Sequence, residues 1–360
     1  MTALTSGKLV NVLRLADPKG RFKMLAVDQR ASLQAALAKA TGREPADITY
    51  DEMANTKQLI TEVLSPFSTA TLLDPTYGFP RAVKVIPRNV GILLASEETG
   101  HEPAGERGRE RKGRLIDGWS VAKAKRAGAN AVKLLIHYNP EASSVVLDHQ
   151  RELVRRVGED CVREDIPFLL EVVTYPLDEV AGDTPAFAKK RPHHTIGAAH
   201  EFSKDEYFVD ILKLEFPGDL KYASDFHEMG FDKKVRPAVY DLDDVRTFCR
   251  ELDAAARRPW VILSGGVDIR EFLVNLELAV EAGASGFLCG RAFWQAIIPD
   301  YPNEDRMHGL LVSEGAENFA RANAIADRAR AWFAHPSIGG WDEVRLRDGH
   351  EEWYRDYHQA

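Results

Sequence analysis

A chain of 360 residues, 44% hydrophobic and 28% charged, has the composition of an ordinary globular protein and the length for one large α/β domain or two smaller ones. Its formal net charge of -8 argues against nucleic acid or an anionic membrane surface as the main partner. Cys161, Cys249 and Cys289 are few and far apart, which fits neither a disulfide framework nor a metal knuckle and suits a reducing cytoplasm. The first residues, Met1 to Lys8, lack the apolar core of a signal peptide, and no apolar run nears the roughly 20 residues of a membrane span.

In chain order, Lys23–Val27 reads as a short buried strand running into Asp28-Gln29-Arg30. Helices follow over Ser32–Ala40, stopped by Gly42, and Tyr50–Leu64, stopped before Pro66. Thr69–Leu73 and Gly91–Ala95 are the second and third strands, ending in Asp74 and in Ser96-Glu97-Glu98. His101 to Arg114 is polar and Gly-rich, the composition of a long exposed loop. Its basic run from Arg107 to Lys112 holds its own acid and no aromatic residue, so a solvated loop is expected rather than a nucleic-acid patch.

Asp117–Ala127 reads as a helix, and the fourth strand, Ala131–Tyr138, carries Lys133 in its middle. A helix over Ala142–Val157 leads to the fifth strand, Phe168–Tyr175, which carries Glu171. A longer connection with Pro185, Pro192 and His193-His194 precedes a helix at Ile196–Lys204; the two histidines are expected at the surface. The sixth strand, within Asp210–Pro217, carries Lys213. After an amphipathic helix over Asp241–Ala256, the seventh strand, Trp260–Leu263, enters Ser264-Gly265-Gly266. A helix capped by Asp268 leads to the eighth strand, Gly286–Cys289, which enters Gly290-Arg291. Asp305–Ala334 is mainly helical, with a polar tail beyond.

Eight short apolar strands separated by helices are the pattern of a (β/α)8 TIM barrel. The expected organisation is a catalytic barrel over residues 1–300 and a C-terminal helical extension over 301–360, packed on the barrel. An open doubly wound sheet is the alternative, but no Gly-x-Gly-x-x-Gly follows the first strand.

Lysine or glutamate inside a buried strand needs a partner or must lose its charge. Strand side chains alternate between faces, so Lys133, Glu171 and Lys213, on consecutive strands, can share one interior. Strands four and six are about 10 Å apart along the sheet, less across its curve, which lets two lysine stems bring their amines within roughly 5 Å. At an effective dielectric near 20 the repulsion costs about 3 kcal/mol, enough to leave one amine partly neutral, as a carbonyl-attacking lysine must be. Glu171 can move protons for such chemistry or simply neutralise both lysines; the two roles are compatible. Ser264-Gly265-Gly266 and Gly290-Arg291 stand after strands seven and eight, where barrels hold phosphate. No histidine or carboxylate spacing asks for a metal, and no cofactor is expected.

Leu25-Ala26-Val27-Asp28-Gln29-Arg30, Ala131-Val132-Lys133-Leu134-Leu135, Leu170-Glu171-Val172, Asp210-Ile211-Leu212-Lys213-Leu214-Glu215, Lys190-Arg191-Pro192-His193 and Phe287-Leu288-Cys289-Gly290-Arg291 resemble the class I tagatose-1,6-bisphosphate aldolase family. The likeness runs in order from about Lys8 to Trp294. It implies a metal-independent barrel aldolase that forms a Schiff base with dihydroxyacetone phosphate through Lys213, beside Lys133 and Glu171. It also implies that Asp28 and Gln29 contact substrate hydroxyls, and that Ser264, Leu288 and Arg291 make phosphate and backbone contacts. The chain departs from the family in its longer C-terminal part and in Pro217-Gly218-Asp219. Relatives also cleave sulfo-sugar phosphates, so 6-deoxy-6-sulfofructose 1-phosphate is an alternative substrate. A non-covalent phosphosugar isomerase or epimerase using Glu171 as base, and a sugar-phosphate sensor without turnover, are the rival readings. The expected partner is a small sugar phosphate, and a homo-oligomer is compatible with the reading.

Overall fold

The computed structural model describes residues 4–106, 108–178, 182–228 and 230–357; Met1 to Ala3, Arg107 of the basic run and the last three residues of the extension lie outside them. Eight parallel strands close into a barrel: β1 Phe22–Val27, β2 Ala70–Leu73, β3 Gly91–Ala95, β4 Ala131–His137, β5 Phe168–Val173, β6 Ile211–Leu214, β7 Trp260–Ile262 and β8 Gly286–Cys289. Each strand pairs with its chain neighbours, and β8 returns to β1, Cys289 opposite Leu25. The open doubly wound alternative is therefore excluded. The eight apolar runs of the sequence are these eight strands, with no end shifted by more than three residues.

Alternation along each strand divides the core. Outward residues such as Leu25, Val27, Leu134, Leu170 and Leu212 pack under the surrounding helices. Inward residues Met24, Ala26, Leu72, Leu93, Leu169, Ile211 and Val261 fill the barrel itself. The helix Ser6–Leu15 and Trp332 and Ile338 join this inner cluster through Val12 and Leu15, closing the end of the barrel where the strands begin. Tyr50–Leu64 starts with a capping box between Thr49 and Glu52, and Ala31–Thr41 ends on Gly42 at φ 67°. Ala316–Ala326 packs on Ile269–Ala282, covering the barrel after β8.

Two stretches fold differently from their composition. The segment after β3 contains a two-stranded antiparallel hairpin, Glu102–Ala104 with Glu110–Lys112, rather than a plain loop. Pro185–Phe202 is one helix with Pro192 inside it, so His193-His194 is not in a loop. Proline removes one helical N–H and usually breaks a helix; here Pro192 is buried with Phe187, His194 and Ala198, and that packing holds the turn together. His193 is exposed, but His194 is 1% exposed and faces Glu141, its Nε2 3.4 Å from a carboxylate oxygen.

Candidate active site

The inward positions that fill the barrel with hydrocarbon turn polar at its carboxyl end. Two residues above Ala26, Ala95 and Leu169 come Asp28, Glu97 and Glu171; two above Ala131 and Ile211 come Lys133 and Lys213. Register brings Glu171 of β5 directly opposite Lys213 of β6, with Leu135 of β4 on its other side. The same period-2 geometry that fills the core thus builds one charged layer on top of it.

Lys133 is the hub of this layer. Its Nζ lies 2.8 Å from Asp28 Oδ2, 2.7 Å from Glu97 Oε1 and 2.8 Å from Glu171 Oε2, with the side chain 1% exposed. Burial works against its charge, but the Asp28, Glu171 and Glu97 carboxylates outweigh that and raise its pKa well above the ordinary lysine value. The same Glu171 Oε2 lies 2.9 Å from Lys213 Nζ. The two amines are therefore no farther apart than those two contacts laid end to end, and an anionic oxygen stands between them.

This arrangement corrects the expected electrostatics. Two bare amines repelling one another are not what the site holds, because Glu171 and two further carboxylates compensate Lys133. Burial pushes Glu171 toward its neutral form, yet Lys133 and then Lys213 keep its pKa below the ordinary value; Asp28 is depressed by the same two lysines against its own burial. Glu171 is accordingly a carboxylate within reach of the Lys213 proton. Glu215, just past the end of β6, accepts from Thr174 N at 2.6 Å and Thr174 Oγ1 at 2.7 Å.

Of the other polar residues ending strands, Asp74 does not reach the site. It pairs with Lys57 at 2.6 Å, both side chains fully buried, and Lys57 also donates to the Val27 carbonyl at 2.6 Å. Arg30 and Glu97 do belong, as their places at the ends of the first and third strands allowed, although neither was assigned a role from sequence. Arg30 Nη2 donates to the Glu97 carbonyl at 2.5 Å, and Glu97 Oε2 accepts from Leu135 N at 3.0 Å. The parity of Leu93, Ala95 and Glu97 carried that signal.

A cavity of about 380 Å³ opens over the layer. Its wall includes Asp28, Gln29, Lys133, Glu171, Lys213, Ser264, Gly265, Leu288 and Arg291, together with Arg30, Glu97, Thr99, Gly100, His137 and Glu215. Asp28 Oδ1 and Gln29 Oε1 are buried acceptors without a donor among the described residues, as acceptors meant for ligand hydroxyls would be. Gly266 and Gly290 stand behind the wall. A Cβ on Gly266, at φ 82°, would come 2.7 Å from the Arg291 guanidinium carbon; one on Gly290 would come 2.0 Å from the Ala26 carbonyl oxygen. Both glycines thus fix where Arg291 and its short helix sit against the cavity.

Among the described residues, no helix is long and apolar enough to cross a membrane.

Known proteins resemble the chain in sequence and in fold. The chain is 34% identical over 337 residues to a protein of Streptococcus pneumoniae serotype 4 named tagatose 1,6-diphosphate aldolase, covering 92% of this chain and 98% of that one. It is 34% identical over 333 residues to a Staphylococcus aureus protein of the same name, covering 90% and 97%. The fold is also that of a Schiff base forming fructose-1,6-bisphosphate aldolase, with a TM-score of 0.52 at 18% identity over 88% of this chain and 98% of that one. The sequence model of DeoC/LacD family aldolases matches residues 22–296. With that match over most of the barrel, and relatives aligned along nearly their whole length, the chain belongs to the DeoC/LacD family of aldolases.

Proposed function

We propose that the protein is a class I aldolase that cleaves a ketohexose bisphosphate, tagatose 1,6-bisphosphate in the first instance, into dihydroxyacetone phosphate and glyceraldehyde 3-phosphate. The observation that carries the reading is the single Glu171 oxygen held 2.8 Å from Lys133 and 2.9 Å from Lys213. A Schiff-base enzyme needs an amine that can shed its proton at the moment a carbonyl arrives, with an acid–base group alongside.

In this reading Lys213 gives up a proton to Glu171 and its nitrogen adds to the ketone carbon, forming a carbinolamine. The protonated Glu171 returns that proton to the departing hydroxyl, which leaves as water. The resulting iminium accepts the electron pair of the bond between its α and β carbons as the β hydroxyl gives its proton to Glu171, and the aldehyde leaves with the enamine left on Lys213. Protonation of the enamine carbon and hydrolysis release dihydroxyacetone phosphate. Lys133 keeps its charge throughout and maintains Glu171 as a base between steps. Asp28 Oδ1 and Gln29 Oε1 accept from sugar hydroxyls, and Arg291, positioned by Gly266 and Gly290 beside Ser264, Gly265 and Leu288, grips the phosphate next to the ketone. The same reading puts the enzyme in the cytoplasm, acting on small phosphorylated sugars.

The test is reduction with borohydride in the presence of dihydroxyacetone phosphate, followed by peptide mass spectrometry. An adduct on Lys213 is the expected result. An adduct on another lysine, or none, overturns the assignment, and an active enzyme that borohydride leaves untouched is an isomerase or epimerase instead.

A further inference from the structure

At the end of the barrel away from the active site, a second cavity of about 260 Å³ lies between the roots of the strands, the helix Ser6–Leu15 and the chain from Trp332 onward. Its walls are mostly hydrocarbon: Val12, Phe22, Val162, Ile211, Trp332 and Ile338. Phe22 and Ile211 are the first residues of β1 and β6, so the packed interior of the barrel separates this space from the charged layer above. An apolar hollow forfeits the contacts that would fill it, and one of about 150 Å³ already takes benzene. The space here suits an apolar body of roughly ten non-hydrogen atoms.

The polar groups of this wall have their acceptors occupied and donors left over. Asp210 Oδ2 accepts from Lys8 Nζ at 2.8 Å and from Phe168 N at 2.8 Å. Thr5 Oγ1 donates to Asp165, and Ser337 Oγ lies 2.8 Å from His335 Nδ1. Asp205 accepts from Arg258 Nη2 and is otherwise in solvent. Against these, Arg258 Nε and Trp332 Nε1 are buried donors without an acceptor among the described residues. The Arg347 guanidinium, exposed at the mouth, has no ion pair among the described residues. Lys8, Arg258 and Arg347 together outnumber Asp205 and Asp210, so the lining carries one positive charge in excess. A buried donor without an acceptor is costly, and a ligand oxygen removes that cost.

We propose that this cavity is a binding site for a small amphipathic carboxylate, with an apolar body of about seven to nine carbons between Val12, Val162 and Ile338 and its carboxylate toward Arg258, Trp332 and Arg347. The site is independent of the chemistry at the opposite end of the barrel. It also gives the C-terminal extension a task, since Trp332, Ile338 and Arg347 all come from that part of the chain.

The test is calorimetric titration of the whole protein with octanoate, octylamine and 1-octanol, which share a chain length and differ in head group. Octanoate is expected to saturate one site and to bind at least about tenfold more tightly than octylamine, with octanol between them. Val162→Phe, at a half-buried position on the helix Ser144–Arg163, fills the space and is expected to weaken octanoate at least about tenfold. Arg347→Met, at an exposed position that spares the fold, is expected to bring octanoate within about threefold of octanol, and Arg347→Lys to keep most of the preference. Octanoate that does not saturate, octylamine that binds as tightly as octanoate, or octanoate binding that either Val162→Phe or Arg347→Met leaves unchanged overturns the proposal.

Discussion

Removing the Lys133 charge while keeping its bulk, Lys133→Met, leaves Asp28, Glu97 and Glu171 facing one another in a layer that is almost closed to solvent. At an effective dielectric near 20, each contact near 2.8 Å is about 6 kcal/mol of gross attraction, set against several kcal/mol for desolvating each ion. The net worth of the cluster is therefore small, but the cost of deleting its one central cation is not. Truncating one partner of a buried ion pair typically costs about 3–5 kcal/mol, and here three anions lose it together. Urea unfolding at pH 7 should show Lys133→Met less stable by about that amount. The pH dependence is the sharper test. In wild type, Asp28 and Glu171 titrate below their ordinary range, so their contribution is present above about pH 4 and is lost as pH falls through the depressed values. The Lys133 contribution is present below its ordinary pKa and is lost only as pH rises through its raised one. In the variant the crowded carboxylates titrate above their ordinary range, so acid relieves them. The stability gap between the two proteins should narrow from pH 7 toward pH 4. A gap that is absent at pH 7, or widens in acid, would show that Lys133 is not the charge that holds the layer together.

Two further outcomes follow from the turn after β7. Gly266→Ala puts a methyl 2.7 Å from the Arg291 guanidinium at a left-handed backbone position, so KM for phosphorylated substrate should rise about tenfold while borohydride trapping of unphosphorylated dihydroxyacetone persists; unchanged KM would remove Arg291 from the phosphate site. Glu271, 5% exposed and 3.4 Å from Lys221, has its pKa pushed up by burial to about 7, against Lys221. Its stabilising contribution is thus full below about pH 4.5 and lost as pH rises through 7, a swing of about 3 kcal/mol that Glu271→Gln should abolish in denaturation curves taken from pH 5 to pH 8; a variant with the wild-type pH slope would refute it.

The barrel was legible because buried parallel strands are short, apolar and bounded by helical periodicity, features that survive without any knowledge of contacts. Lys133, Glu171 and Lys213 stood out for the same reason: a charge inside such a run has few structural excuses. Glu97 could be named only as one of a pair with Glu98, since it lies beyond the last residue of β3, where sequence gives no apolar frame. The hairpin at Glu102–Lys112 was hidden because strands this short and charged have no alternating pattern, and Tyr175, far away in sequence, is what half-buries Arg111. The helix through Pro192 was masked by local propensity, which tertiary packing overrode. The sign of the electrostatics failed for a related reason. Sequence could place a Glu171 oxygen between the two amines, but not the Asp28 and Glu97 carboxylates that join it on Lys133.

That oxygen also explains how the rim divides its labour. Around the mouth, β1 and β3 contribute Asp28 and Glu97, then β4, β5 and β6 contribute Lys133, Glu171 and Lys213, so anions and cations adjoin through half the ring. β7 and β8 contribute no such charge from their inward faces, only backbone turns at Ser264-Gly265-Gly266 and Gly290 with Arg291 beyond them. Lys213 sits at the seam between the two halves. Under the proposed function, a ketose bound there would have its reacting carbon beside Glu171 and its phosphate beside the turns after β7 and β8, so proton transfer would fall to Glu171 and its neighbours. In the proposed reading, moving the nucleophile one stave toward β7 would keep the phosphate grip and lose the base, which favours the lysine on β6 for the Schiff base and the one on β4 for the fixed charge.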